Sequence, residues 1–256
     1  MVSLHLAEGQ SGVALASRLQ AVTLVVDVLR ASTTLAVLAS RHPRALYVIE
    51  QVEAARALAA RWPGAVLAGE RGGLPPEGFA HGNSPLEALG ARVRGKRVVF
   101  TSTTGAQRLA GLAPTCDGLV AAPINARAAC RLAFHLATVA DRPIVVLAAG
   151  SEADPPVFPL EDWAAGALLV SRLIEMGARL EDACDYDHYA ALLKAEGLLA
   201  LFRRSEHGRK LEALGLERDL WLCAQEDLLP VVPATAKPRK LAGHAVRLLP
   251  VWRTAD

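Results

Sequence analysis

The stretch Thr23-Leu24-Val25-Val26-Asp27-Val28-Leu29-Arg30-Ala31-Ser32-Thr33-Thr34 decides the fold that we predict for this 256-residue chain. It begins with an apolar, β-branched run without alternation, which is typical of a buried strand in a parallel sheet. The Ser-Thr-Thr cluster is typical of a helix start, where hydroxyls accept hydrogen bonds from free backbone N–H groups. Asp27 then lies at the carboxyl end of a strand, where open α/β sheets bind their ligands. A carboxylate and the Arg30 guanidinium in one corner suit a metal and an anion together; the alternative is that Asp27 only caps the next helix.

Apolar runs alternate with helical patterns from Thr23 to about Met176, which predicts an α/β fold with a mainly parallel sheet and helices on both faces. The further predicted strands are 46–50, 65–68, 97–101, 118–122 and 143–149, and the main helices are 51–62, 106–111, 126–139 and 160–176. From Glu181 onward the pattern changes to helices and two short strands, at 229–233 and 245–251. We therefore predict a core over residues 1–180 and a C-terminal α+β layer over 181–256 packed on it, with a small second lobe as the alternative.

The amino-acid composition of the chain argues against some classes of function. The net charge of +2 argues against binding nucleic acid through bulk charge. The longest apolar run, Trp163 to Val170, is too short to span a bilayer, so no membrane association is expected. Scattered cysteines without a C-x-x-C pair, and no signal-peptide pattern, favour a cytoplasmic location. A homodimer stays open, because no stretch identifies an interface.

Polar and glycine-rich segments follow the predicted strands. They are Gly69 to Gly73 with Gly82-Asn83-Ser84, then Thr101 to Gly105, then Pro123 to Ala126, and finally Ala149-Gly150 leading to Glu161-Asp162. We expect these segments to lie along one edge of the sheet, where backbone N–H groups, hydroxyls and small side chains suit a phosphate-sized anion. Each segment taken alone could be an ordinary turn or helix cap.

The acidic side chains at these positions indicate a metal. Carboxylate oxygens without a Cys/His set favour Mg²⁺ over zinc. The predicted metal ligands are Asp27, Glu70, Glu161 and Asp162. The sequence contains neither the G-x-S-x-G elbow of serine hydrolases nor the P-loop of NTPases.

Together these motifs resemble the 2-phosphosulfolactate phosphatase family, over roughly residues 24–234. The segments that carry the resemblance are Val26 to Thr34, Ala68 to Gly73, Gly82 to Glu87, Asn125-Ala126, Glu161-Asp162 with Gly166, and a tail with Ser205, His207-Gly208, Asp219, Cys223 and Val232-Pro233. The resemblance implies a Mg²⁺-dependent enzyme that converts 2-phospho-3-sulfolactate to 3-sulfolactate on a route to coenzyme M. The family usually has Thr-Thr-Asn-Gly-Thr where this chain has Thr103-Thr104-Gly105-Ala106, so another phosphorylated hydroxy acid is an alternative substrate.

Metal-assisted hydrolysis of a small anionic phosphomonoester is our leading hypothesis. The predicted catalytic residues are Asp27, Arg30, Glu70 and Arg71, with the two arginines clamping the phosphate or the acidic groups of the substrate. The predicted substrate contacts are Asn83, Ser84, Thr103, Thr104, Gly105, Asn125 and Arg127. Two alternatives stay open: Asp27 as a nucleophile that forms an aspartyl-phosphate, and an anion-binding or regulatory protein on the same scaffold without turnover. For Asp27 we favour the role of metal ligand.

Overall fold

The computed structural model describes residues 1–150, 158–181, 185–240 and 245–252. Within these ranges the strands are β1 (Ser3–Glu8), β2 (Val22–Val26), β3 (Ala45–Val48), β4 (Val66–Gly69), β5 (Arg97–Thr101), β6 (Asp117–Val120), β7 (Ile144–Ala148), β8 (Arg179–Leu180), β9 (Val231–Lys240) and β10 (Val246–Trp252). The helices are α1 (Gly9–Leu19), α2 (Ala31–Ser40), α3 (Val52–Ala60), α4 (Pro85–Leu89), α5 (Gly105–Gly111), α6 (Ala126–Ala140), α7 (Leu160–Glu175), α8 (Tyr186–Glu196), α9 (Leu198–Arg204), α10 (Glu206–Ala213) and α11 (Glu217–Cys223). The predicted α/β fold is confirmed.

The strands of the described residues form one sheet in the order β4-β5-β3-β10-β9-β6-β2-β7-β1-β8. Strands β4, β5 and β3 form one parallel block, and β6, β2, β7, β1 and β8 form a second. Between them lies the antiparallel pair β9 and β10, whose outer neighbours β6 and β3 are also antiparallel to them. The sheet is mainly parallel, as predicted, but its two parallel blocks run in opposite directions.

The last two strands occupy the centre of this sheet. The sequence predicted them as part of a C-terminal layer packed on the core. Instead, β10 pairs with β3 and β9 pairs with β6, so these strands join the two parallel blocks. The division of the chain at residue 180 stays a prediction, but the C-terminal segment supplies a structural part of the sheet.

Helix α2 is the element around which the site is built. Its residues from Ala31 to Ala39 are all buried, and it contacts β9, β10 and β6. Two blocks of opposite direction in a flat sheet would place the ends of β5 and β2 at opposite edges. The backbone N–H of Gly105, after β5, nevertheless donates to Asp27, after β2, at 2.7 Å. The segments that follow β5 and β2 therefore meet at the N-terminus of α2, although the two blocks run in opposite directions.

The second block has the uniformly buried strands that the sequence predicted. All residues of β2 and β7 are buried, since strands and helices cover both of their faces.

No helix within the described ranges is long and apolar enough to cross a bilayer.

Candidate active site

A pocket of about 380 Å³ lies where the segments after β2, β4, β5 and β7 meet the first turns of α7 and α10. The sequence-predicted site residues that line it are Asp27, Arg30, Glu70, Asn83, Thr103, Thr104, Glu161 and Asp162. Most of the motifs at the strand ends therefore lie around one pocket, as expected. They belong to two parallel blocks of strands that run in opposite directions.

Asp27 sits between the N-termini of two helices. Its Oδ2 accepts a 2.7 Å hydrogen bond from the N–H of Gly105, the first residue of α5. Burial raises the pKa of the Asp27 carboxyl above its ordinary value. His207 acts in the opposite direction, Glu70 adds to the rise, and the backbone amides of Gly105 and Ala31 lower the pKa again. Ala31 is the first residue of α2, so both helix ends favour a negative charge at this point.

Asp162 ties the start of α7 to two strand ends. Its Oδ1 accepts from the N–H of Val28 at 2.8 Å, and its Oδ2 accepts from the N–H of Gly150 at 3.2 Å. Burial raises the pKa of Asp162 well above its ordinary value, and the charges of Asp27 and Glu161 raise it further. Backbone amides therefore hold the Asp162 carboxyl group in place. Its burial and the nearby charges of Asp27 and Glu161 disfavour its ionised form.

Glu161, the neighbour of Asp162, carries an unsatisfied buried oxygen. Its Oε1 lies 3.5 Å from Nδ1 of His207. Its Oε2 is buried and has no hydrogen-bond partner among the described residues. The side-chain oxygen of Asn83, another residue of the pocket wall, is also buried without such a partner. Buried oxygens of this kind are costly unless a donor or a cation satisfies them, so both point to something that binds in the pocket.

Glu70 joins the two loops of the first block. Its Oε1 accepts from both the N–H and the hydroxyl of Thr103 at 3.0 Å, and its Oε2 accepts from the N–H of Gly73 at 2.9 Å. Both carboxylate oxygens are thus used to hold the pocket wall together.

Arg30 forms a buried ion pair in the same wall. One terminal nitrogen lies 2.6 Å from Oδ2 of Asp219 on α11, and the other donates to the carbonyl of Gly73 at 2.7 Å. Both side chains of the pair are 2% exposed. The second oxygen of Asp219 accepts the hydroxyl of Ser84 at 2.7 Å, and the Ser84 oxygen also caps α4 by accepting from the Glu87 N–H. Ser84 therefore acts on the pocket wall through Asp219, outside the pocket lining.

The other two predicted arginines point elsewhere. Arg71 donates to the backbone carbonyls of Glu70 and Glu50 and to the hydroxyl of Thr101. Arg127 pairs with Asp227 at 3.3 Å, and its side chain is 62% exposed. Neither is among the residues that line the pocket.

Asn125 also lies outside the pocket lining, and its amide is fully used within the fold. The side-chain oxygen accepts from the N–H of Ala122 at 2.9 Å. The nitrogen donates to the carbonyls of Val120 and Val231 at 3.2 and 3.0 Å, which connects the end of β6 to the start of β9. This geometry gives Asn125 a role in fixing the central strands.

Negative charge dominates the pocket. Its lining contains the carboxylates of Asp27, Glu70, Glu161, Asp162 and Glu206, against the two permanent cations Arg30 and Lys210. Within the part of the chain that the structure describes, no group of three His, Cys, Asp or Glu side chains is arranged to hold a metal ion by itself. Mg²⁺ commonly binds through one or two carboxylates and keeps its other positions for water and substrate phosphate, so this donor set fits Mg²⁺.

Sequence comparison with known proteins identifies the family of this chain. The family described as 2-phosphosulpholactate phosphatase matches residues 11–238. The chain belongs to this family. A relative from Thermus thermophilus is 37% identical over 214 residues, which cover 83% of this chain and 86% of the relative. A relative from Deinococcus radiodurans is 35% identical over 231 residues, covering 89% and 93%. Both are named probable 2-phosphosulfolactate phosphatase, and the predicted class of phosphoric monoester hydrolase is confirmed.

Several residues at the pocket were not among the site residues predicted from the sequence. Glu206, His207 and Lys210 of α10 line the pocket, and Asp219 of α11 holds Arg30. His207 and Asp219 stand in the C-terminal segments that carried the family resemblance, and that resemblance was the available signal for them. Nothing in the local sequence pattern marks Glu206 or Lys210, since charges on a short helix are usually solvated.

Gly105 is expected to be essential for the position of Asp27 in this phosphatase. A Cβ atom at Gly105 would lie 2.7 Å from Oδ2 of Asp27 and 3.3 Å from Cβ of Ala31, so it must displace the carboxylate. We expect Gly105→Ala to lower kcat for phosphate release by about tenfold to a hundredfold, since small displacements of reacting groups have effects of this size. Gly90→Ala is the matched control, because a Cβ there meets nothing closer than 3.6 Å. Equal kcat values for the two variants would contradict the prediction.

Proposed function

We propose that the chain hydrolyses 2-phospho-3-sulfolactate to 3-sulfolactate and phosphate with the help of Mg²⁺, as on a route to coenzyme M. The observation that carries this proposal is the position of Asp27 between the N-termini of α2 and α5, in a pocket that also holds the unsatisfied oxygen of Glu161. Helix N-termini favour phosphate groups, and the carboxylates favour a hard cation beside them. The choice of substrate comes from the names of the relatives.

The charge of the pocket supports the requirement for Mg²⁺. A substrate with phosphate, carboxylate and sulfonate groups is strongly anionic, and the lining carboxylates would repel it. Asp27 and Glu161, whose Oε2 has no hydrogen-bond partner among the described residues, are the residues that would hold the ion. Bound there, Mg²⁺ would neutralise phosphate charge and lower the cost of placing these acids together.

The residues of the chain then bind and orient the phosphate. The amides at the start of α5 and α2 point toward the acidic corner, and the hydroxyls of Thr103 and Thr104 lie in the pocket wall. The Gly105 N–H already donates to Asp27 and the Thr103 hydroxyl to Glu70, so of these groups the Thr104 hydroxyl would donate to a phosphate oxygen and stabilise the charge that develops during transfer. Asp27 acts either as a metal ligand or as the nucleophile. The stereochemical course at an isotopically chiral phosphate distinguishes these roles, because two displacements through an aspartyl-phosphate retain the configuration at phosphorus, whereas a single displacement by water inverts it.

Phosphate release from purified protein tests the proposal. We expect 2-phospho-3-sulfolactate to be hydrolysed in the presence of Mg²⁺, and activity to disappear with EDTA and return when Mg²⁺ is restored. A panel of other phosphorylated hydroxy acids should be hydrolysed less efficiently. Release from a different member of the panel alone would replace the substrate. Binding of these anions without any release would instead support the regulatory alternative.

The response of thermal stability to Mg²⁺ should depend on pH. Because burial raises the pKa of Asp27 and Asp162 in the folded state, the folded protein retains protons that the unfolded chain loses. Stability without metal should therefore fall as pH rises from about 4 through the raised pKa values. Mg²⁺ binds the ionised carboxylates, so it should raise Tm more at about pH 8 than at about pH 5.

Thermal unfolding at both pH values, with and without Mg²⁺, checks this prediction. The matched variant is Asp162→Asn, which keeps the size of the side chain but removes its titration. In this variant, the rise in Tm caused by Mg²⁺ should depend less on pH than in the unsubstituted protein. A Mg²⁺-induced rise in Tm that is the same at both pH values in the unsubstituted protein would contradict the assignment of these acids.

A further inference from the structure

We propose that Lys210 of α10 binds the sulfonate group of the substrate and thereby selects sulfonated phosphomonoesters. This proposal rests on the proposed function and adds a specificity-determining residue to the same site. It follows from the distribution of cations around the pocket, from the rigid placement of α10 and from the chemistry of the sulfonate group.

The arginines that the sequence offered for acidic groups of the substrate are already engaged. The Arg30 charge is neutralised by Asp219 at 2.6 Å, inside the wall. Arg71 donates to backbone carbonyls, and Arg127 is paired with Asp227 outside the pocket lining. A substrate that carries two acidic groups besides its phosphate still requires a cation in the pocket.

Lys210 is the cation that meets this requirement. It lines the pocket, and its side chain makes no ion pair with any described residue. It is exposed to solvent, so its side chain keeps its freedom to move. Glu206, one turn earlier on the same wall of α10, is acidic, so Lys210 supplies the positive charge of that wall.

The packing of α10 fixes which of its residues face the pocket. Ser205 caps the helix by accepting from the N–H of Gly208 at 3.0 Å, and its hydroxyl donates to the carbonyl of Phe202 at 2.9 Å. A Cβ on Gly208 would lie 1.8 Å from that same carbonyl oxygen, so only glycine permits this approach of α10 to the end of α9. Leu211 is fully buried on the inner side. The helix therefore cannot rotate freely, and Lys210 remains at the pocket wall.

The ammonium group of Lys210 is able to bind a sulfonate. A guanidinium fork matches the planar carboxylate, whereas the lysine ammonium is a compact charge with three donors that rotate together. A sulfonate presents three equivalent oxygens around one sulfur atom, which suits such a point charge. The phosphate is drawn to the helix N-termini near Asp27, and Lys210 lies on a separate wall formed by α10. The two anionic ends of the substrate thus have separate binding positions.

A specificity ratio tests the proposal. Values of kcat/KM are measured for 2-phospho-3-sulfolactate and for 2-phospholactate, which has a hydrogen in place of the sulfonate. We expect Lys210→Met to lower the ratio between these substrates by about tenfold to a hundredfold, as expected for a lost hydrogen-bonded charge contact. The loss should appear mainly in KM for the sulfonated substrate, because the sulfonate does not react. Lys210→Arg should restore part of the ratio.

The matched control is Arg209→Met, which removes the same charge from the neighbouring position of α10. Arg209 is exposed and does not line the pocket, so its loss should leave the ratio unchanged. An equal fall for both substrates in Lys210→Met would show that Lys210 acts on a shared group, the phosphate or the carboxylate, and would overturn the proposal. An unchanged ratio would overturn it as well. Failure of the unsubstituted enzyme to hydrolyse the sulfonated substrate would overturn the proposed function, and the Lys210 proposal with it.

Discussion

Asp27→Asn is expected to lower phosphate release by at least about a hundredfold while the protein stays folded. The Asp27 carboxylate accepts hydrogen bonds from backbone N–H groups at two helix N-termini and has acidic neighbours in the pocket. We therefore expect its negative charge to be required for activity. An amide side chain of the same size cannot hold Mg²⁺ strongly and cannot accept a phosphoryl group. Either role of Asp27 therefore predicts the same loss of kcat, measured as initial rates with saturating Mg²⁺.

The stability of this variant separates a functional from a structural role. Burial raises the pKa of Asp27, which means that the folded protein holds the charged form at a cost. A neutral amide avoids that cost, so the free energy of unfolding without metal should be unchanged or higher at neutral pH. Urea unfolding measures it, and Asp187→Asn on α8, an exposed change, provides the control. Activity within tenfold of the unsubstituted protein, or a large loss of stability, would contradict our assignment of Asp27.

The sequence predicted the local features of this site well. The β2 strand, the aspartate at its end and the helix after it are encoded within twelve consecutive residues, and each follows from short-range pattern. The acids of α7 were also predicted, because two acidic residues at a helix start are a local signal. These features need no knowledge of which strands are neighbours.

The order of the strands could not be predicted in the same way. The apolar pattern marked both C-terminal strands, but it does not say which strand each one pairs with. Their insertion between β3 and β6 reverses one parallel block relative to the other. The first strand, β1, was also missed, although the alternate burial of Leu4 and Leu6 is a strand pattern that the sequence shows.

The directions of long side chains depend on such distant contacts. Arg71 and Arg30 both follow strands, and the sequence predicted both as clamps for acidic groups. In the fold, Arg71 turns toward the carbonyl of Glu50, and Arg30 turns toward Asp219, 189 positions away in the sequence. The periodicity of apolar residues and the spacing of motifs carry no information on these partners, because the partners come together only in the folded protein.

Asp219→Ala is expected to lower the free energy of unfolding by about 3–5 kcal/mol. Arg30 and Asp219 are 2% exposed, so removing the carboxylate leaves a buried guanidinium without its counter-charge and also frees the hydroxyl of Ser84. Ser84→Ala should cost about 2 kcal/mol, because it removes the hydrogen bond to Asp219 and the N-cap of α4 but leaves the ion pair intact.

The double variant Arg30→Met with Asp219→Leu tests whether the loss comes from the unpaired charge. It replaces both charges by apolar groups, so it should recover much of the stability lost in Asp219→Ala, since no bare charge remains buried. Urea unfolding of the three variants gives the comparison. If Asp219→Ala lost less than about 1 kcal/mol, or if the double variant were as unstable as the single one, the ion pair would not be what holds α11 against the start of α2. Recovered stability without recovered phosphate release would instead separate the two roles of Arg30, since the guanidinium also lines the pocket.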